Sequence, residues 1–354
     1  MAYRGYSTSR GEIGVELAIP DQAGTAPIPA EPAYTAADFT ISDSTRVRLA
    51  DSVPANTRRA YTRQWNAFTT WCAANGSRVP LPATAQTFTD YVTHLADTGY
   101  APASIEQAMG AIRSCHTTAG HEGQPHGRAA LQVLRQHRRH LAENGQRHQK
   151  EAPPVTIPVL RAMVDACPEN TVVGIRDRLL LVLGLALMGR RSELVALNRA
   201  DVTQTEHGLD VAIRTSKTDK NSVGEIIAVP RGDHPLTDPV DAWLTWTRLL
   251  DEAGHHDGRL LRRLYVHDTI GRSLGGDAIN EIVRSCAIRA GVPRAAEYTA
   301  HSLRAGGATV AYAAGRPISV IAKHGRWSPT SPVLLRYIRA VDRWRDNAMR
   351  GVGL

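Results

Sequence analysis

The stretch between residues 298 and 339 begins Tyr298-Thr-Ala-His301-Ser-Leu-Arg304-Ala-Gly-Gly and ends Leu335-Arg-Tyr337-Ile-Arg339. Since His301 and Arg304 are three residues apart, they share one face of any helix that this segment forms. A guanidinium beside a titratable imidazole suits the binding of an oxyanion, such as a phosphate in a transfer reaction. An isolated His-x-x-Arg more often marks an ordinary interfacial pair, so the neighbouring motifs decide between the two interpretations.

A tyrosine closes the same stretch. An apolar run from Val333 to Leu335 precedes Tyr337 and predicts that its helix is anchored in the core, while Arg336 and Arg339 flank it. A phenol loses its proton only near pH ~10, so a tyrosine nucleophile needs cationic neighbours and a nearby base. The alternative interpretation is a tyrosine that only packs in the core.

An arginine motif lies upstream, after an apolar helix predicted from Ile175 to Met188. The motif reads Gly-Arg190-Arg191-Ser-Glu193-Leu, so Arg190 and Glu193 share one helix face. Two simpler interpretations stay open. Arg191 could be a solvated partner of Glu193, and Arg190 could be a cation favoured by the dipole at a helix carboxyl end.

Two lysines occupy the tip of a predicted β-hairpin. Apolar and polar residues alternate on both sides of a polar turn that holds Lys217 and Lys220. The inward residues of this alternation are Leu209, Val211 and Ile213 before the turn and Ile227 and Val229 after it. Only four of the 42 basic residues are lysines, so a lysine kept in this turn is informative. A lysine at a solvated tip is nevertheless usually only a surface charge.

The ordered motifs resemble the tyrosine recombinase (phage integrase) family over roughly residues 45 to 350. Trp327 and the Tyr337-Ile-Arg339 sequence most resemble its Cre-like members. The resemblance implies a mainly α fold class: an all-α helical-bundle core-binding domain followed by an α+β catalytic domain with a small antiparallel sheet. It assigns the catalytic positions to Arg190, Lys217, His301, Arg304, Trp327 and Tyr337.

The roles implied by the resemblance make Tyr337 the nucleophile, which forms a 3′-phosphotyrosyl link to DNA and frees a 5′-hydroxyl. Arg190 and Arg304 would hold the nonbridging phosphate oxygens, and His301 would assist proton movement. Lys217 would protonate the leaving oxygen, a task for which a guanidinium with a pKa above ~12 is poorly suited.

Some of these assignments have alternatives or supporting residues. Lys220 could replace Lys217 as the acid. Trp327 stands where many members of the family have histidine, and its separation from the nucleophile is one residue longer than usual, so His324 is a second candidate. Glu193 is expected to support the arginine motif.

Composition divides the chain into four segments. Residues 1–43 are rich in Gly, Pro, Ala, Ser and Thr without sustained periodicity, and we expect them to be disordered. Residues 44–150 show helical periodicity, which predicts a bundle of four or five helices. Three prolines make residues 151–158 an extended linker. Residues 159–354 form the predicted catalytic domain, which ends in an amphipathic helix.

The last helix of the predicted bundle, from about Arg128 to Leu141, carries a basic face. We expect this face to contact DNA phosphates, although a merely solvated face is the alternative. The proposed DNA-binding residues are Arg135, Arg138, Arg139, Arg147 and Lys150, together with Lys220 of the hairpin. His137 and His140 are interpreted as part of this surface and not as metal ligands, since no second ligand pair has suitable spacing.

Composition also bounds the environment and the partner. The formal net charge of +8 and an isoelectric point near 9.6 favour a polyanionic partner. Four separated cysteines without a C-x-x-C pair argue against a disulfide framework or a structural zinc site. Apolar runs are short and a signal-peptide pattern is lacking, so we expect a soluble, cytoplasmic, nucleoid-associated protein.

The resemblance therefore implies a site-specific DNA recombinase that acts on an inverted-repeat site in duplex DNA. The family resemblance implies a homotetramer on DNA, assembled through the C-terminal helix. Because the covalent link retains the bond energy, neither a cofactor nor a metal is required. Two alternative functions remain: a catalytically idle sequence-specific DNA-binding protein, and DNA relaxation like that of a type IB topoisomerase.

Overall fold

The structure is a computed structural model that describes residues 34–146, 152–214, 224–328, 330–345 and 348–353. Four predicted site residues lie outside these ranges, namely Arg147, Lys150, Lys217 and Lys220. Most of the segment predicted to be disordered, residues 1–33, lies outside them as well. The chain divides into two compact units, with the boundary after residue 148.

The first unit is a bundle of helices, which confirms the all-α prediction for this part of the fold. The described helices are α1 (Asp43–Ser52), α2 (Ala55–Ala74), α3 (Ala85–Asp97), α4 (Pro102–Thr118) and α5 (Arg128–Glu143). Phe68, Phe88 and Ile112 are fully buried among them. Thr84 caps α3 by accepting the backbone N–H of Thr87 at 3.1 Å, as expected for a threonine at a helix start.

Residues 34–43 contain regular structure, although the sequence predicted none there. A 3₁₀ helix spans Ala36–Phe39, and Ser42 caps α1 by accepting the backbone N–H of Thr45 at 3.2 Å. The 3₁₀ helix buries no residue. Side-chain and backbone hydrogen bonds within a few residues, and not a packed core, therefore stabilise this segment.

Helix α5 corrects one detail of the predicted basic face. His137 is 6% exposed, and its Nε2–H donates to the backbone carbonyl of Tyr100 at 3.0 Å. It therefore faces the core and does not belong to the basic surface. Arg135, Arg138 and Arg139 are exposed, because the helical period places them on the sides of α5 that face away from Leu134 and His137.

The second unit combines helices with a small sheet. Its described elements are α6 (Ile157–Asp165), α7 (Val172–Ala186), α8 (Arg191–Ala196), β1 (Val202–Gln204), β2 (Gly208–Ile213), β3 (Glu225–Pro230), α9 (Pro239–Glu252), α10 (Gly276–Arg289), α11 (Ala300–Ala313), α12 (Ile318–Gly325) and α13 (Pro332–Arg345). About 60% of the structure is helical. Together with the antiparallel sheet, this confirms the predicted fold class.

The predicted hairpin is confirmed as β2 and β3, which pair antiparallel from Gly208 opposite Pro230 to Ile213 opposite Glu225. The side chains predicted to point inward are all buried: Leu209, Val211, Ile213, Ile227 and Val229. Strand β1 adds a third, antiparallel strand in the order β1-β2-β3. Only three residues form it, too few for their alternation to signal a strand in the sequence.

Helix α11 lies close to its neighbours because two consecutive glycines leave room for backbone. A Cβ on Gly306 would collide with the carbonyl oxygen of Val155, and one on Gly307 would collide with that of Leu185. The backbone N–H of Val155 also donates to the carbonyl of Ser302 at 3.0 Å. The end of the predicted linker is therefore packed against α11, and α6 begins at Ile157, inside the segment predicted to be an extended linker.

None of the helices within the described ranges is long and apolar enough to cross a membrane.

Candidate active site

The first turn of α11 is held from both sides. The hydroxyl of Thr299 accepts the backbone N–H of His301 at 3.2 Å, and Asn280 of α10 accepts the N–H of Ala300 at 3.1 Å through its Oδ1. These bonds satisfy N–H groups that a helix start leaves without partners. They fix the turn that presents His301 and Arg304, so the predicted shared face is present.

Tyr337 and His301 form the contact that defines the site. Helix α13 packs against α11, and the Tyr337 hydroxyl is hydrogen-bonded to Nε2 of His301. Leu334 and Ile338 are 0% and 4% exposed and anchor α13 on either side of the tyrosine. The predicted apolar anchor is thus only partly correct, because Val333 is 37% exposed.

The surroundings of His301 favour the neutral form of its imidazole. Burial, and after it the positive charge of Arg304, lowers the pKa of His301 below its ordinary value. At neutral pH the ring therefore has one nitrogen lone pair, and in the tautomer that carries it on Nε2 the ring accepts the hydrogen bond from the Tyr337 hydroxyl. A neutral imidazole in this position can accept the proton of Tyr337.

Arg304 is almost completely buried beside this pair. Its guanidinium donates to the carbonyls of Met188 and Gly325, the latter at 2.6 Å, and its Cζ lies 3.8 Å from the centroid of the Trp327 ring. The Trp327 ring in turn lies 6.2 Å from that of Tyr337. Burial, followed by the charge of Arg190, lowers the pKa of Arg304 to about 9. Arg304 therefore keeps its proton at neutral pH.

Arg190 precedes α8 and is fixed by a buried carboxylate. Its Nη1 donates to Oε1 of Glu193 at 2.6 Å, and its backbone N–H donates to Oε2 at 2.8 Å. Burial alone would raise the pKa of Glu193, but Arg326 and Arg190 together hold the pKa below its ordinary value. Glu193 thus pairs with Arg190, and not with Arg191 as the alternative interpretation had it, since Arg191 bonds Asp277 at 2.8 Å.

Several of these side chains line one open cleft of about 540 Å³. Its lining includes Arg190, Arg191, His301, Arg304 and Trp327. A phosphate group has room in this cleft beside Arg190, Arg304 and the His301 imidazole that contacts Tyr337. Within the described ranges, no group of three or more His, Cys, Asp or Glu side chains could hold a metal ion.

The whole sequence is similar to those of known proteins. The chain is 30% identical over 309 residues to an integrase/recombinase xerD homolog of Selenomonas ruminantium, covering 85% of this chain and 86% of that protein. The chain belongs to the tyrosine recombinase family. The recombinase is also 24% identical over 296 residues to the recombinase Cre of Escherichia phage P1, covering 79% and 82% of the two chains.

Solved structures show the same fold. A lambda integrase (75–356) dimer bound to a COC′ core site matches with a TM-score of 0.55 at 13% identity, over 83% of this chain and 92% of that one. The Tn1549 transposon integrase (82–397) in complex with circular intermediate DNA matches with a TM-score of 0.56 at 13% identity, over 86% and 97%. A scan against protein-family models found no match.

The structure brings Arg190, His301, Arg304, Trp327 and Tyr337 of the recombinase together. His324, the second candidate for the position of Trp327, has a different place. Its Nε2–H donates to the carbonyl of Ala186 at 2.7 Å, which ties α12 to α7 outside the cleft.

Sequence reasoning missed Arg326, which is 6% exposed and bonds Glu193 at 2.8 Å. It lies 133 positions from that partner, and no sequence spacing signals such a pair.

Proposed function

We propose that the recombinase cuts and rejoins duplex DNA at a specific site through a 3′-phosphotyrosyl intermediate with Tyr337. The hydrogen bond between the Tyr337 hydroxyl and His301, at a cleft whose lining includes Arg190 and Arg304, carries this proposal. A phenol is a weak nucleophile at neutral pH and needs a base within reach. The neutral imidazole of His301 supplies that base.

Cleavage is an exchange of phosphate esters. The Tyr337 oxygen attacks phosphorus while its proton passes to Nε2 of His301, and the bond between phosphorus and the 5′-oxygen breaks. Charge grows on the nonbridging oxygens, where Arg190 and Arg304 stabilise it. The indole N–H of Trp327 adds a hydrogen bond. Attack by a 5′-hydroxyl reverses these steps and rejoins the strand, so the reaction needs no net input of energy.

The departing 5′-oxygen requires a proton, which we assign to Lys217. Lysine is better suited to this task than arginine, because an ammonium releases its proton more readily. The residue lies between β2 and β3 but outside the described ranges. Its role therefore rests on the family resemblance and on this chemistry, with Lys220 as the alternative.

Three features support DNA as the substrate. The chain has a formal net charge of +8, α5 exposes Arg135, Arg138 and Arg139, and the two similar integrase structures are complexes with DNA. We extend DNA binding to this recombinase, with an inverted-repeat site and a synaptic homotetramer built through its C-terminal helix. We further propose that it acts at the nucleoid in the cytoplasm.

The test is to capture a covalent complex. The purified protein is incubated with genomic DNA that flanks its own gene, denatured, and assayed for protein-bound DNA. We expect adducts at one recurrent sequence, a protein-blocked 3′ end and a free 5′-hydroxyl that polynucleotide kinase labels directly. Tyr337→Phe keeps the ring, so it should abolish adducts while DNA affinity stays within a few-fold.

Three outcomes would contradict the proposal. An absence of adducts with intact DNA binding would indicate a DNA-binding protein without catalysis. Adducts at many unrelated sequences, with relaxation of supercoiled plasmid, would indicate a topoisomerase. Adducts that survive in Tyr337→Phe would place the nucleophile elsewhere.

A further inference from the structure

Arg326 adopts an unusual backbone conformation at the end of α12. Its φ of 58° and ψ of 46° lie in the left-handed region, which glycine enters readily and residues with a Cβ do not. It is also 6% exposed, and a charged side chain is rarely buried unless it is paired. A strained backbone and a buried charge at one position call for a specific compensation.

The side chain of Arg326 joins two segments that meet behind the cleft. Its Nη2 donates to Oε2 of Glu193 at 2.8 Å and to the carbonyl of Leu187 at 3.2 Å. Its Nη1 donates to the carbonyl of His324 at 2.9 Å. The guanidinium therefore links the end of α12 to the turn between α7 and α8, the turn from which Arg190 enters the cleft.

The backbone at residues 325–326 completes the arrangement. The carbonyl of Arg326 accepts Nη2 of Arg190 at 2.8 Å, and the carbonyl of Gly325 accepts Nη2 of Arg304 at 2.6 Å. Residues 325–326 thus supply a carbonyl acceptor to both Arg190 and Arg304. The position of Arg190 depends on Arg326 twice, through its carbonyl and through Glu193.

The charges explain why an arginine suits this position. Glu193 alone would neutralise Arg190, with which it shares a bond of 2.6 Å. Arg326 offers the carboxylate a second cation at 2.8 Å, so positive charge remains available for a phosphate in the cleft. The Arg326 side chain is 3% exposed, which keeps it away from DNA.

We propose that Arg326 is a positioning residue for strand cleavage: it balances Glu193 and fixes Arg190, without touching the substrate. This inference rests on the proposed function, since it assigns Arg190 to the nonbridging phosphate oxygens. Its test must therefore separate three cases: a loss of phosphate stabilisation, a general loss of stability, and an absence of cleavage in the wild type.

The first experiment compares two substrates that carry the sequence recovered from wild-type adducts. One has an ordinary scissile phosphate. The other has a methylphosphonate, in which a methyl group replaces one nonbridging oxygen and so removes the negative charge. Arg326→Gly keeps the left-handed turn and removes only the side chain. We expect single-turnover cleavage of the phosphate to slow about 100-fold, the usual effect of a small misplacement.

Most of that loss should vanish on the methylphosphonate, as it should for Arg190→Ala, because less charge then needs stabilising. The double variant should be within about twofold of Arg190→Ala, since two changes that act through one group do not add. Arg326→Lys, which keeps the charge, should recover part of the rate.

Arg262→Met is the matched control. Arg262 is also a buried arginine, 5% exposed, and it donates to backbone carbonyls that include those of Arg259 and Gly271. Loss of the Arg262 guanidinium should lower the midpoint of thermal unfolding. It should leave unchanged the ratio of the cleavage rates on the phosphate and the methylphosphonate substrates. An equal loss on both substrates for Arg326→Gly, or full additivity with Arg190→Ala, would overturn the inference.

A second measurement needs no cleavage. Inorganic phosphate is titrated into the protein alone, and the Nε–H signal of Arg190, assigned by its absence in Arg190→Ala, is followed by NMR. If Arg326→Gly weakens phosphate binding about tenfold, the positioning role of Arg326 is supported. This holds even if the wild type forms no adducts, because missing adducts would contradict only the proposed function. Unchanged binding in Arg326→Gly would overturn the inference.

Discussion

Among single residues, the bond between Tyr337 and His301 makes the proposed cleavage depend on a neutral imidazole. The pKa of His301 lies below its ordinary value because of burial and the charge of Arg304. Protonation would remove the acceptor, so the rate should fall only as the pH drops through this lowered pKa. We expect single-turnover cleavage to lose half its rate at a pH below about 6.5, the ordinary histidine value.

The control for this pH profile is Arg304→Lys. This variant keeps a positive charge near the imidazole but changes its distance from the ring. The pH at which cleavage loses half its rate should therefore shift, and the cleavage rate at neutral pH should fall. A wild-type midpoint at or above about 6.5 would exclude His301 as the proton acceptor.

A second prediction at this scale separates the acid role of Lys217 from simple charge. Lys217→Ala should slow cleavage by about two to four orders of magnitude, the usual contribution of a positioned proton donor. Lys217→Arg should recover little, because the charge remains without a labile proton. A substrate with sulfur in place of the bridging 5′-oxygen needs no acid, since a thiolate leaves readily, and should restore most of the rate.

The sulfur substrate also provides the controls. It should not rescue Arg190→Ala or Arg304→Ala, whose defect lies at the nonbridging oxygens. If sulfur rescues Lys220→Ala and leaves Lys217→Ala slow, the acid is three residues further along the hairpin.

At the scale of elements, the exposed face of α5 should bind phosphate without reading sequence. Replacement of Arg135, Arg138 and Arg139 by Ala should weaken binding to all DNA similarly. The slope of log affinity against log salt should flatten by roughly 0.9 for each lost phosphate contact.

Helix α4 offers a companion variant. Arg138 pairs with Glu106 at 2.6 Å, so Glu106→Ala should tighten binding by releasing that arginine. An unchanged salt slope in the triple variant would show that the α5 face is only solvated.

A further prediction for an element concerns the packing of α11. Gly306→Ala puts a Cβ against the carbonyl of Val155, and such overpacking typically costs about 1–3 kcal/mol. Thermal or denaturant unfolding should show this loss, with lower cleavage because α11 carries two site residues. The matched control is Gly110→Ala within α4, whose Cβ would meet only the Tyr61 hydroxyl at 3.4 Å. That change should be neutral or slightly stabilising.

These elements show which features the sequence could predict. Local periodicity sufficed for the hairpin from Gly208 to Pro230 and for the shared face of His301 and Arg304, since both follow from spacing along one segment. It failed for His137 and His324, which looked like surface or site groups but bond backbone carbonyls in distant segments. It also failed for Arg326, because a left-handed turn normally signals itself through glycine.

For the molecule as a whole, the proposed nucleophile Tyr337 and the cleft that it faces lie in one chain. Helix α13 packs on α11 of the same protein, and Tyr337 bonds the His301 of its own cleft. Each protomer should therefore be a complete unit for cleavage, and assembly should be needed only for exchange of strands.

A mixing experiment tests this prediction. Tyr337→Phe leaves a complete cleft without a nucleophile, and Arg304→Ala leaves a nucleophile beside a damaged cleft. If Tyr337 acts only in its own cleft, a mixture of the two should form no more adduct than each variant alone. If it acts in a neighbouring cleft, the Arg304→Ala chain, marked by a size tag, should become linked to DNA.

A mixture of wild type with Tyr337→Phe controls for assembly, because adducts there must carry the wild-type chain. The Tyr337 hydroxyl is already hydrogen-bonded to His301 of its own chain. To reach another cleft, Tyr337 would have to break that bond, and Leu334 and Ile338 would have to leave the core. We therefore expect the mixture to remain inactive.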